Sequence, residues 1–226
     1  MKIDYEGFDF STSLAGASFP SPIFTASGCA SSGKELAQFF DLSDIGAVVT
    51  KSVMNKPRHG RPTPRMAETP SGMLNSIGLQ GPGIDHFLAN DVPWLLSKGS
   101  RVIVSIAGET IDEYSVLARK IRPVQGISAI EVNISCPNVE NRGMVFACQT
   151  DTAARAIDGV RKIIGGEIPI IAKLTPEQVL AAAKKYLVGT NIAEFVLKPE
   201  SERGKDPADT PGASTAAPPA TKKKKK

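Results

Sequence analysis

The chain has 226 residues, 41% hydrophobic and 22% charged, enough for one domain of ordinary or large size around an apolar core. Its formal charge of +4 rests on the terminal run Lys222 to Lys226; without those five lysines 22 basic residues face 23 acidic ones, which argues against a basic nucleic-acid surface on the body. Three widely spaced cysteines, two histidines that form no metal-ligand spacing with them, and no apolar run near the ~20 residues of a membrane span argue against a disulfide scaffold, a metal site and a transmembrane segment, and favour a cytoplasmic location.

Met1 to Pro22 alternates weakly and turns at Gly7 and Gly16, as expected of a small hairpin that plugs or flanks the main body. Pro22 to Gly28 reads as a short strand ending in small residues, Ala26-Ser27-Gly28, where a ligand can approach the backbone closely. Lys34 to Leu42 is expected to form a short helix with Leu36, Phe39 and Phe40 inward. The second strand, Ile45 to Ser52, ends on Lys51, which is either a functional cation or a snorkelling surface lysine.

Met54 to Gly83 lacks helical periodicity and holds five prolines and five glycines. Unstructured loops of that length are often functional; mere surface elaboration is the alternative. Arg101 to Gly108 is the third strand. Thr110-Ile111-Asp112-Glu113 then has the pattern of a capping box, with Tyr114, Leu117 and Ile121 on one helical face and Pro123 as the stop.

The fourth strand, Ala129 to Ser135, places Ile130, Val132 and Ile134 on one side and Glu131, Asn133 and Ser135 on the other. Cys136 follows as the chain leaves the strand, and Pro137 prevents its continuation as a central one. A thiol and two amides, Asn133 and Asn138, are therefore presented together, although a lone cysteine is as readily a small buried hydrophobe. Asp151 or Thr152 is expected to cap a helix with Ala156, Ile157, Val160, Ile163 and Ile164 inward, stopped at Gly165-Gly166. The fifth strand, Ile168 to Leu174, carries Lys173 at its end. Thr175-Pro176-Glu177-Gln178 starts a further helix, and Ile192 to Leu197 is a candidate sixth strand.

Alternating strands and helices imply a parallel sheet with crossover connections. Ser27, Lys51, Asn133 with Cys136, and Lys173 all fall at strand carboxyl ends, which reads as the mouth of an α/β barrel of the (β/α)8 type. Five to six units are expected here, so the barrel is incomplete over residues 1–198, and the Pro-, Ala- and Lys-rich residues 199–226 form a disordered tail. Five tail lysines attract RNA or acidic membranes only weakly, so neither nucleic acid nor membrane is expected as a partner.

Asn133-Ile134-Ser135-Cys136-Pro137-Asn138-Val139 resembles the active-site segment of the class 1 dihydroorotate dehydrogenases. Ala26 to Cys29, Thr50-Lys51-Ser52, Pro62 to Arg65, Ser71 to Gln80, Pro93-Trp94-Leu95, Ala107-Gly108 and Lys173 to Pro176 extend the resemblance from about Ile3 to Pro176. It is closest to the subclass (1B) whose catalytic subunit passes electrons through a partner subunit to NAD. The resemblance implies FMN across the barrel mouth, contacted by Ser27, Lys51, Ser52, Ser105, Asn133 and Lys173; Ser105 stands where this subclass usually has an asparagine. It implies that Lys51, Asn75, Ser76, Ile77, Gly78, Leu79, Asn133 and Asn138 hold dihydroorotate or orotate. Cys136 would be the base that takes the C5 proton while hydride leaves C6 for flavin N5, within pyrimidine biosynthesis. No metal ligands are implied. The implied partner carries FAD and an iron–sulfur cluster, in a homodimer or heterotetramer.

The segment after the active-site loop, Phe146 to Thr150, departs from the family's glycine-rich wording, and the glycine-rich phosphate turns expected after the last two strands are missing from the sequence. The chain is therefore expected to match the first two-thirds of such an enzyme, joined to an unrelated or frame-shifted end. Two further readings stand beside this one: a catalytically inactive barrel fragment acting as a binding or assembly module, and an aldolase in which Lys173 forms a Schiff base.

Overall fold

A computed structural model describes residues 9–135, 146 and 149–174, all within one compact unit, Met1–Ala181. Cys136, Asn138, Cys148 and everything from Thr175 onward lie outside the described residues, and with them the second capped helix, the sixth strand and the tail.

The core is a parallel sheet of β3 (Val48–Val49), β6 (Val102–Ile106), β7 (Ile127–Asn133) and β8 (Ile170–Lys173), hydrogen-bonded in that order. Phe24 extends it on the β3 side through a parallel bridge to Ala47. Five parallel segments thus follow one another in space as they do in the chain, the arrangement that opens a β/α barrel. The expected strand Pro22 to Gly28 is reduced to that single bridge, because Thr25 turns its hydroxyl onto the neighbouring backbone. Thr25 Oγ1 accepts from Val49 N at 2.8 Å and lies 3.2 Å from Val49 O.

Alternation along the strands divides the apolar side chains into two clusters. Val48, Val102, Val104, Ile106, Ile130 and Val132 face α3 (Ile111–Ile121) and α4 (Thr150–Ile164), meeting Tyr114, Leu117, Ile121, Val160 and Ile164. Ala47, Val49, Ile103 and Ala129 face the other way and are covered by Phe19. Phe19 lies on the hairpin of β1 (Thr12–Leu14) and β2 (Ala17–Phe19), whose turn uses positive φ at Ala15 and Gly16. The hairpin expected near the amino terminus is present over these residues and plugs the smaller cluster.

α3 starts where its capping box predicts. The Thr110 hydroxyl accepts from Glu113 N at 3.4 Å, and Glu113 Oε2 accepts from Glu109 N at 2.6 Å, one residue before the position a standard box would use. Thr110→Ala is expected to cost about 1 kcal/mol, read as a lower urea midpoint with unchanged slope. A midpoint equal to the parent's would show that the cap contributes nothing.

Four expectations need correction. Lys34 to Leu42 is not a helix with Phe39 and Phe40 inward; it holds one 3-10 turn, Leu36–Gln38. Asp41 Oδ1 then accepts from Ser43 N and Ser43 Oγ, turning the chain so that Leu42 enters the core while Phe39 stays 82% exposed. The long loop is not wholly irregular: β4 (Met66–Thr69) pairs antiparallel with β5 (Gly72–Asn75). Every residue of that hairpin is exposed, so no buried face imposed an alternation that sequence could show.

α4 is preceded by Gln149 with no side-chain cap. Thr152, expected there, donates instead to Phe146 O and Gln149 O. Finally, a helical stretch was missed: α1 (Ile84–His86), a π turn (Phe87–Asp91) and α2 (Val92–Ser97). Its buried apolar residues are Ile84, Phe87, Val92 and Leu95. The wider π turn lengthens the interval between Phe87 and Val92, which breaks the 3.6-residue period by which helices are recognised. No helix among the described residues is long and apolar enough to cross a membrane.

Candidate active site at the sheet's carboxyl edge

The inner face of the sheet changes character along its length. Toward the amino ends it carries Ala47, Val49, Ile103 and Ala129; toward the carboxyl ends it carries Ser105, Glu131, Asn133 and Lys173. Parallel pairing sets this register, since Ser105 is aligned with Glu131 and Asn133 with Lys173. Polar groups that were separate in sequence therefore meet at one rim.

They meet through hydrogen bonds. Lys173 Nζ donates to Ser27 Oγ at 2.5 Å and lies 3.9 Å from Glu131 Oε1. Ser105 Oγ donates to the same carboxylate oxygen at 2.7 Å and is 2.8 Å from Ser52 Oγ. Ser52 in turn accepts from Asn133 Nδ2 at 2.9 Å. Asn133 Oδ1 accepts from Ser135 N and Oγ at 3.2 and 3.1 Å. The backbone beneath is fixed from the helical side: the buried Tyr114 hydroxyl donates to Asn133 O at 2.8 Å. Ser52, Ser105 and Asn133 are all buried, so an unpaired polar atom here would be costly.

Beside this network lies a cavity of about 690 Å³, within the 300–1,000 Å³ typical of small-molecule sites. Lys51 and Ser52 form part of its wall together with Gly28 and Cys29. Gly28 has φ +92°, and a Cβ built there would touch nothing within 4 Å, so backbone and open space adjoin. The Lys51 ammonium has no ion pair or hydrogen bond among the described residues. The wall thus offers a free cation and hydroxyls over a mixed polar and apolar surface, a donor set that fits a planar ligand rich in carbonyl and ring-nitrogen acceptors.

Of the residues singled out by sequence, Ser27, Ser52, Ser105, Asn133 and Lys173 are joined in one network, and Lys51 and Ser52 line the cavity. Ser105 is fully buried with its hydroxyl engaged. Asn75, Ser76, Ile77, Gly78 and Leu79 do not line the cavity. Asn75 closes β5 and is exposed, Ser76 N donates to Arg65 O, Ile77 O accepts from Arg61 N, and Leu79 takes φ +52°. Cys136 and Asn138 lie outside the described residues, just beyond the point where β7 delivers Ser135 to the rim.

Sequence reasoning missed several wall residues: Cys29, Arg58, His59, Gln80, Gly81 and Pro82. Arg58 is held by an ion pair with Glu109 and by Gly78 O at 3.2 Å. Cys29 and Gln80 fell within stretches that carry the family resemblance; for Arg58, His59, Gly81 and Pro82 the proline and glycine density of the 54–83 loop was the pointer. Glu131 was read merely as one of an alternating set.

A family model described as Dihydroorotate dehydrogenase matches residues 10–198. The catalytic subunit of dihydroorotate dehydrogenase B (NAD(+)) from Anoxybacillus flavithermus is 43% identical over 173 residues, which cover 76% of this chain and 55% of that protein. The subunits of the same name from Geobacillus kaustophilus and Bacillus cytotoxicus are 44% and 42% identical, covering 76% and 72% of this chain and 55% and 52% of theirs. The chain spans about half the length of the curated relatives it matches. With the family model covering most of its length and a parallel sheet that gathers its polar residues at one rim, this chain belongs to the dihydroorotate dehydrogenase family.

Proposed function

We propose that this chain binds FMN at the rim of the sheet and serves the oxidation of (S)-dihydroorotate to orotate in de novo pyrimidine synthesis. The observation that carries this reading is the convergence of Ser27, Ser52, Asn133 and Lys173 in one network, with Lys51 in the adjoining cavity wall.

Ser27, Lys51, Ser52, Asn133 and Lys173 would hold the cofactor, with Ser105 supporting Ser52 and Asn133 from below. Bound FMN supplies the two-electron acceptor for the hydride that leaves C6. Cys136 takes the C5 proton as thiolate and becomes the thiol. A free thiol near pKa ~8.5 is mostly protonated at neutral pH, so a cationic rim favours the reactive form. Lys51 pairs with the substrate carboxylate, and Asn133 and Asn138 hold the pyrimidine ring. Lys173 places a fixed positive charge where negative charge develops during the transfer. The relatives are named as catalytic subunits of an NAD(+)-linked enzyme, which supports a partner subunit; that this partner carries FAD and an iron–sulfur cluster, in a homodimer or heterotetramer, is part of the proposal.

The test is the FMN-to-protein ratio of the purified chain, followed by an orotate titration. A yellow protein with stoichiometric FMN, whose absorption shifts with orotate, is expected. Colourless protein that takes up no added FMN would overturn the proposal and leave a non-catalytic binding or assembly module.

A further inference from the structure

The hydrogen bonds at the rim have a direction that can be deduced without seeing a proton. Ser135 N is a backbone donor, so the Asn133 atom facing it must be the carbonyl oxygen, Oδ1. The Asn133 amide therefore points Nδ2 at Ser52 and donates to it. At the far end a Glu131 carboxylate oxygen only accepts, so the Ser105 proton goes to Glu131. With that proton committed, the 2.8 Å contact between the two serines has a single solution: Ser52 donates to Ser105. The chain runs one way, from the Asn133 amide through the Ser52 and Ser105 hydroxyls to the Glu131 carboxylate. Lys173 Nζ, 3.9 Å from the accepting oxygen, reinforces that terminus.

We propose that Glu131 is a positioning residue: acting through Ser105 and Ser52, it locks the Asn133 carboxamide with Oδ1 toward Ser135 and Nδ2 toward Ser52. Without an acceptor at position 131, Ser105 would turn its proton to Ser52. Ser52 would then accept from both neighbours, and its own proton would have no acceptor in the relay. The lock leaves the second Nδ2 hydrogen without a partner among the described residues, available to a ligand at the rim. That this ligand is FMN rests on the reading above; the relay itself does not.

The relay can be tested on the full-length chain without cofactor, by hydrogen exchange of side-chain amides after selective 15N-asparagine labelling. The Asn133 signal is identified by its loss in Asn133→Ser. In the parent, the Asn133 carboxamide is expected to exchange at least tenfold more slowly than that of the exposed Asn75. Glu131→Leu, which leaves no acceptor, and Ser105→Ala should each remove most of that protection, and the double variant no more than either alone. Ser105→Thr, which keeps the hydroxyl, should restore it. Backbone exchange in β6 and β7 serves as the control for folding. Unchanged Asn133 protection in both single variants, or strictly additive losses in the double, would overturn the proposal. The two readings fail separately: protected Asn133 in a protein that takes up no FMN sustains the relay and sinks the flavin reading, whereas FMN uptake with an indifferent Asn133 does the reverse.

Discussion

Gly46→Ala is expected to lose roughly 4 kcal/mol of stability, because the new methyl has nowhere to go. A Cβ at position 46 would stand 2.1 Å from Ser21 O and 2.4 Å from the Phe24 ring. The first neighbour is backbone, so a rotamer change cannot relieve the clash. The segments must separate, and separation breaks what joins Phe24 to the sheet: Gly46 N to Ile23 O at 2.8 Å and Thr25 N to Ala47 O at 3.1 Å. Phe24 also packs its ring against Phe19 at a tilt, ring centres 4.9 Å apart, so the plug over the inner cluster loosens with it. For a chain of this size the loss corresponds to a fall of roughly 10 °C in the unfolding midpoint, measured by circular dichroism. Because Ser27 sits directly beyond this segment, its contact with Lys173 should be lost as well. A midpoint within 2 °C of the parent's would show that the Phe24 segment is dispensable to the sheet.

Gly46 illustrates what sequence discloses and what it hides. Its place just before the apolar strand β3 was readable, since Ala47, Val48 and Val49 are the small and β-branched residues that fill buried parallel strands. That a second backbone crosses it at contact distance was not, because close approach leaves no mark beyond the glycine itself. The same division holds across the fold. β6, β7 and β8 were legible through their alternation and apolar content, and α3 through Thr110, Glu113 and the 114–117–121 stripe. The stretch 84–97 was not legible: one π turn moved its apolar residues off the helical period. Phe39 and Phe40 misled because large aromatics usually mark an inward face, whereas here one Asp41 turn redirected the chain.

At the site, side chains that end strands could be found one at a time. Polar residues at the close of apolar runs stand out, and parallel pairing then brings them together without further information. Their mutual arrangement lay deeper. Glu131 in an alternating strand looks like any solvated residue, and only the register with Ser105 and Lys173 shows that it accepts a buried hydroxyl proton. The cavity wall contributed by Arg58, His59 and Gln80 comes from a loop whose conformation depends on long-range contacts, such as Arg58 with Glu109 and Gly83 against Pro57. No local pattern encodes those.

Lys173→Met should separate chemistry from folding at this rim. Its side chain is one-third exposed and 3.9 Å from Glu131, so the ion pair is screened and its removal should change stability by no more than about 1 kcal/mol. The proposed reaction should suffer far more. Lys173 is the cation that the network holds in place, with Ser27 Oγ accepting at 2.5 Å and β8 anchored to Asn133 by strand pairing. A preorganised charge of this kind stabilises the transition state without reorganising, and losing such a donor typically slows catalysis by about 10²–10³-fold. Stopped-flow reduction of the FMN-loaded protein by dihydroorotate should therefore slow by that factor, while the unfolding midpoint hardly moves. Lys173→Arg should recover only part of the rate. The charge persists, but a planar guanidinium cannot reproduce the point contact with Ser27. If Lys173→Met reduced flavin within threefold of the parent rate, the lysine would be a tether between β8 and Ser27 and nothing more.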